Sequence, residues 1–156
     1  MRKKQNQKTE IDKVDLQILR ALQEDCHVSY RKLARKMGIS GVMASARIKN
    51  LEDKGLLKGY TTLLDPIKLG YELTAVIFIQ TEGDYLKELS SELSQMSNVI
   101  AVYTITGEFD VVAVVKLKGR DSLNALIKDL LVAQHIKKTM TNIALNVIKE
   151  DFRVQL

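Results

Sequence analysis

The chain has 156 residues, 46% of them hydrophobic and 28% charged, a composition that suits one large globular domain or two small ones. No apolar run approaches the roughly 18 residues of a membrane span. The basic start, Met1 to Lys8, is followed by no apolar stretch and does not read as a secretory signal. The single cysteine, Cys26, can form no internal disulfide, so a reducing cytoplasm is the expected compartment. The net charge of +5 is uneven, with 14 Lys and Arg against 7 Asp and Glu in residues 1–64, but 10 against 12 in residues 65–156. A polyanion partner for the first half would explain this asymmetry, as would a solvated basic surface with no partner.

The tail Arg2-Lys3-Lys4 to Lys8 is expected to lack fixed structure and to add weak attraction to phosphate. Three helices follow. Asp12 can cap the first, with Ile11 and Leu16 spaced as a hydrophobic staple. Its apolar face is Leu16, Leu19 and Leu22, joined by Ile18. Ser29 can cap the second, which buries Leu33, Ala34 and Met37 and ends at Gly38. Ile39 then points inward and Ser40 caps the third, whose stripe is Ala44, Ile48 and Leu51. Gly55 stops that helix, and Leu57 to Leu64 reads as a strand pair or extended wing around Gly59. The only proline, in Asp65-Pro66-Ile67-Lys68-Leu69-Gly70, marks a domain boundary.

Beyond it the periodicity changes. Thr74 to Ile79 is a strand, and Leu86, Leu89, Leu93 and Met96 line a helix. Val99 to Thr106 and Val111 to Leu117 are strands joined by the turn Gly107-Glu108-Phe109-Asp110. Asp121 can cap a helix carrying Leu123, Leu126, Ile127 and Leu130, and Ile136 to Ile148 closes as a long strand. The order is βαββαβ, the ferredoxin-like arrangement. Val111 to Val115 and Ala75 to Ile79 are apolar at both parities, so both sheet faces must be dry. Two helices cover one face only. A second copy, sheet against sheet, is the simplest cover for the other.

Leu33-Ala34-Arg35-Lys36-Met37-Gly38-Ile39-Ser40, followed by the third helix, has helix-turn-helix spacing. Leu33, Ala34, Ile39, Ala44 and Ile48 lock the two helices together and leave Gly41, Val42, Ser45, Ala46 and Lys49 facing away, with Arg47 beside the stripe. That free side suits a DNA major groove. Ser29, Tyr30 and Arg31 open the second helix, where amides and a cation can hold phosphate. A plain three-helix bundle would share the capping serines, but not the turn glycine, the wing and the local charge together. The groove face is poor in long polar side chains, so much of any specificity should come from DNA shape and deformability.

Ile11-Asp12-Lys13-Val14-Asp15-Leu16-Gln17-Ile18-Leu19 resembles the opening signature of the leucine-responsive regulatory protein/AsnC family, also called feast/famine regulators. Leu33-Ala34 to Ser40, Arg47 to Tyr60, Thr106-Gly107-Glu108-Phe109-Asp110 and Thr139-Met140-Thr141-Asn142 continue the resemblance over roughly residues 10–150. The resemblance implies an N-terminal winged helix-turn-helix and a βαββαβ domain that senses amino acids. It also implies dimers through the sheets, often assembled into octamers, with the effector between dimers near the Gly-x-Phe-Asp turn and the last strand. By matching, the effector site involves Gly107, Glu108, Phe109, Asp110, Thr139, Thr141 and Asn142. Asp110 can pair with an α-ammonium group, and the turn amides with the Thr139 and Thr141 hydroxyls can bind a carboxylate. A plain hairpin turn is the competing reading of residues 107–110. Asn142 departs from the family's aromatic or hydroxyl residue, which favours a polar effector. Met140 stands where an arginine is frequent.

His27 and His135 are far apart, no Cys/His/Asp spacing suits a metal, and no nucleophile–base pair or phosphate loop is visible. The expectation is therefore an α+β protein and not an enzyme, requiring no cofactor. It comprises a winged helix-turn-helix domain over residues 1–64, a linker over 65–70, and a ferredoxin-like oligomerisation and effector domain over 71–156. Its partners are double-stranded DNA, itself and a free amino acid. Two other readings stand beside this one: an architectural DNA compactor with little sequence choice, and a metabolic small-molecule-binding module.

Overall fold

The computed structural model describes residues 10–132 and 135–156, so the basic tail Arg2 to Lys8 lies outside the described residues. The chain divides into two compact units, residues 10–63 together with Asp151–Leu156, and Leu64–Glu150.

The first unit contains helices α1 (Lys13–Glu24), α2 (Tyr30–Met37) and α3 (Gly41–Asp53). Ile18, Leu19, Ala21 and Leu22 of α1 pack with Leu33 of α2 and with Ile48 and Leu51 of α3. Each large apolar side chain buried this way contributes about 1.5–3 kcal/mol before entropy is counted. Leu16 is only half-buried, so the α1 stripe is one residue tighter than the spacing suggested. All three caps form. Asp12 accepts from the Asp15 amide at 2.8 Å, Ser29 from the Lys32 amide at 3.3 Å and Ser40 from the Met43 amide at 3.1 Å. Gly38 adopts φ +67°, a left-handed turn that an L side chain resists. This lets the Ile39 amide reach back to the Ala34 carbonyl at 3.0 Å.

Of the two forms expected for residues 57–64, a strand pair or an extended wing, the extended one is found. The segment holds no β ladder: Leu57 packs against the core, whereas Leu63 and Leu64 are 81% and 67% exposed and fix no register. The segment is tied to α3 instead: the Tyr60 hydroxyl donates to Glu52 Oε1 at 3.0 Å.

The second unit has the expected βαββαβ order. Its elements are β1 (Leu73–Thr81), a 3-10 turn (Gly83–Tyr85), α4 (Leu86–Gln95), β2 (Val99–Thr104), β3 (Val111–Leu117), α5 (Arg120–Val132) and β4 (Ile136–Ile143). The sheet is antiparallel throughout, in the order β2-β3-β1-β4. Ala75, Ile77, Ile79, Val111 and Val115 lie under Leu89 and Leu93 of α4 and Leu123, Leu126 and Leu130 of α5. The alternate residues, Val76, Phe78, Val112 and Val114, are half-buried on the face away from the helices, with Tyr103 50% and Met140 42% exposed beside them. The chain supplies a little cover of its own, because Glu150 pairs with Lys116 of that face at 2.8 Å.

Three boundaries differ from expectation. β2 stops at Thr104. α5 starts at Arg120, with the Ser122 hydroxyl accepting from the Gly119 amide at 3.2 Å, so Asp121 sits in the first turn and is not the cap. β4 ends at Ile143 instead of Ile148, because Ile143 already pairs with Ala75 and Ala144 bonds to Thr74, near the start of β1.

Candidate nucleic-acid interface and ligand site

Ala44, Ile48 and Leu51 turn α3 toward the core. At about 100° per residue, Val42, Ala46 and Lys49 then point the opposite way, with Gly41 and Ser45 on one flank. All five are exposed, Val42 by 82%. Asn50 was not singled out by the sequence pattern. It lies four residues beyond Ala46 on the other flank and is exposed, so the ridge carries an amide as well as a lysine. The Ser29 and Ser40 hydroxyl oxygens accept their cap bonds, whereas Tyr30 is 46% exposed and Arg31 is exposed. Arg35 and Lys36 continue the exposed cations of α2.

Arg47 is placed differently from its neighbours. Its Nη1 donates to Asp12 Oδ2 at 2.6 Å and to Asp15 Oδ1 at 2.7 Å. Asp15 is buried, its side chain 8% exposed. The other oxygens of the two carboxylates serve the α1 capping box, Asp12 Oδ1 accepting from the Asp15 amide and Asp15 Oδ2 from the Asp12 amide. The Asp15 amide and the Arg47 guanidinium hold the Asp12 carboxyl below its ordinary value, and the carboxylates raise Arg47 further. Burial and the bond to Glu52 push the Tyr60 hydroxyl up to about 12, so it stays a donor at any physiological pH.

In the second unit, Gly107 takes φ +121° and lets the β2–β3 turn close. Glu108 forms an ion pair with Lys138 at 2.7 Å, and Lys138 also lies 5.4 Å over the Phe109 ring. Phe109 is 8% exposed, its ring 5.6 Å from that of Phe78. Asp110 Oδ2 accepts from the Thr81 amide at 2.9 Å. Thr139 and Thr141 stand opposite Ile79 and Ile77, on the helix-covered face, while Asn142 stands opposite Val76 and belongs to the other face. Ile79 also pairs with Val111, so Asp110, one residue before Val111, is separated from Thr139 by the width of β1, and Asn142 lies on the other face from Thr139. Lys138 is the group that sequence reasoning missed. Nothing local marks it, because its partners Glu108 and Phe109 lie on another segment of the chain.

Among the described residues no group of His, Cys, Asp and Glu could hold a metal, and no helix is long and apolar enough to cross a membrane.

Residues 11–58 match the winged helix-turn-helix DNA-binding family, and residues 74–154 match the Lrp/AsnC ligand binding domain. The chain is 40% identical over 146 residues to an HTH-type transcriptional regulator of Pyrococcus furiosus, covering 94% of this chain and 99% of that protein. Its fold superposes on an AsnC family transcriptional regulator from Agrobacterium tumefaciens with TM-score 0.84 and 28% identity, covering 93% and 97% of the two chains. A transcriptional regulator of Neisseria meningitidis, solved as a complex with L-Met, has the same fold at TM-score 0.85 and 23% identity, covering 94% and 97%.

Proposed function

The chain belongs to the Lrp/AsnC family of DNA-binding transcriptional regulators, and we propose that it is a cytoplasmic, amino-acid-responsive member that prefers particular DNA sites and works as a homo-oligomer. The observation that carries the DNA half is the exposed ridge of α3 on a helix-turn-helix unit with cationic α2 beside it. Val42, Ser45, Ala46 and Lys49 enter the major groove, with the Ser40–Gly41 start of α3 close to the backbone. Tyr30, Arg31 and the Ser29 end of α2 hold phosphate. Short side chains on the ridge make few base hydrogen bonds, so the DNA's own shape and stiffness supply much of the preference.

The effector is a free amino acid held at the β2–β3 turn. Asp110 faces its ammonium group, and the amides around Gly107 and Glu108, with Lys138, face its carboxylate. Thr139 and Thr141 line the helix-covered side of β4, with Phe109, packed on Phe78, and Asn142 on the opposite face. The L-Met complex of the meningococcal regulator supports an amino acid as the ligand class. Two copies pair through Val76, Phe78, Val112, Val114 and Met140, apolar groups that one chain leaves half in water. The dimers assemble further into octamers, with the turn at the contact between dimers.

The test is calorimetric titration of the full chain with the standard amino acids, followed by sedimentation with any that bind. At least one is expected to bind at millimolar concentration or below and to shift the assembly state. Absence of binding by all of them would overturn the effector reading.

A further inference from the structure

We infer that Arg47 is a positioning residue for DNA recognition: it locks α3 onto the capped start of α1 and makes no phosphate or base contact of its own. The inference rests on the reading of α3 as the groove helix. Arg47 occupies that helix between Ala46 on the ridge and Ile48 in the core. At about 100° per residue it falls on the flank of the ridge opposite Ser45. Its Nη1 bridges two carboxylates that are already bound to each other's amides, so all four carboxylate oxygens of Asp12 and Asp15 have partners. Asp15 is buried, and a buried carboxylate without a cation is costly, so the fold holds Arg47 inward.

The consequence is geometric. α1 and α3 pack through Ile18, Leu22, Ile48 and Leu51, contacts that are apolar and non-directional. A charge-assisted bond at 2.6–2.7 Å adds a directional stop near the middle of α3, which fixes the rotation of the helix about its own axis. That rotation determines where Val42, Ala46 and Lys49 point.

The two roles predict opposite results. A phosphate-contacting arginine carries counterion release, so Arg47→Met would lower the slope of log K against log salt by about 0.9. Removing Asp12 would then relieve repulsion and tighten binding. The positioning role predicts that Arg47→Met weakens binding to the protein's own upstream DNA by roughly tenfold with the salt slope unchanged. Asp12→Asn, which keeps a good capping side chain, should also weaken binding although it removes a negative charge. The double variant should be no weaker than Arg47→Met alone.

Each full-length variant is titrated against labelled DNA at several salt concentrations, with thermal unfolding as the check on folding. If Arg47→Met does not fold, Asp12→Asn decides, by weakening or tightening. A reduced slope in Arg47→Met, or tighter binding by Asp12→Asn, overturns the inference. A wild type that binds no DNA overturns the groove reading instead.

Discussion

Asp110 and Thr81 are joined between neighbouring strands, the Asp110 carboxylate accepting the Thr81 amide at 2.9 Å while the Thr81 hydroxyl donates to the His135 carbonyl at 2.8 Å. The turn that offers a carboxylate to a ligand is therefore also a fastening of the sheet end. Thr81 is 5% exposed, so its amide has no water to fall back on. Asp110→Ala should cost about 1–3 kcal/mol through the stranded donor. Asp110→Asn keeps an acceptor oxygen and removes the charge. It should stay near wild-type stability and lose the response to an amino acid, as thermal unfolding and calorimetry can separate. An Asn variant that still binds the effector as tightly would leave the carboxylate a structural group only.

The helix-turn-helix depends on a few local devices, and these should register in stability. Ser40→Ala removes the acceptor for the Met43 amide and is expected to cost about 1 kcal/mol. Gly38→Ala forces an L side chain to φ +67°, at a cost of about 1–2 kcal/mol, although nothing lies near enough to clash with its Cβ. Chemical denaturation of each variant checks both figures.

Lys49 is the cation on the outward ridge of α3, and Arg31 opens α2. Replacing Lys49 by Ala should reduce DNA affinity and lower the salt slope by about 0.9, the signature of one phosphate contact. The fold should be untouched, since Lys49 is exposed and Ala favours helix. An unchanged slope would remove Lys49 from the phosphate contacts.

Acid should loosen the α1–α3 clasp. The Asp12 carboxyl is held below its ordinary 3.8, chiefly by the Asp15 amide and next by Arg47. A depressed folded value means that the fold favours the charged form. That stabilisation is complete above 3.8 and is lost as pH falls through the lower folded value. Unfolding temperature followed from about pH 5 to about pH 2 should therefore drop less steeply in Asp12→Asn than in wild type. Parallel curves would mean that the pairing contributes nothing to the folded unit.

The apolar face away from the helices should control assembly. Val114 lies among Val76, Val112 and Phe78 in the register of β1 and β3. Val114→Lys in the full chain should release monomers or leave the protein insoluble. A soluble variant that sediments with the wild-type mass would show that copies associate elsewhere.

Much of this was legible in the sequence because the signals are local. Asp12, Ser29, Ser40 and Gly38 announce helix ends within four residues of themselves, and the run Val111 to Val115, apolar at both parities, declares a strand with two dry faces. What failed depends on partners far along the chain. The alternation Ile143, Leu145, Val147 continues past the end of β4, but a strand persists only while a neighbour can pair with it, and β1 begins at Leu73. Leu57 to Leu64 could be a strand pair or an extended wing by composition, and with no partner strand it takes the extended form. Periodicity places Arg47 beside the α3 stripe but says nothing of its partners, and only the fold brings Asp12 and Asp15, 35 and 32 residues earlier, against it. Lys138 was invisible for the same reason, since Glu108 is 30 residues away.

The most direct test of an amino-acid-responsive regulator is a fluorescence anisotropy titration at fixed salt. It compares DNA from upstream of the protein's own gene with random DNA of equal length, alone and with each standard amino acid. Tighter binding to the upstream DNA is expected, with a dissociation constant that moves when at least one amino acid is added. Equal affinity for the two DNAs, unmoved by any amino acid, would contradict both sequence preference and effector control and point to an architectural DNA-binding protein.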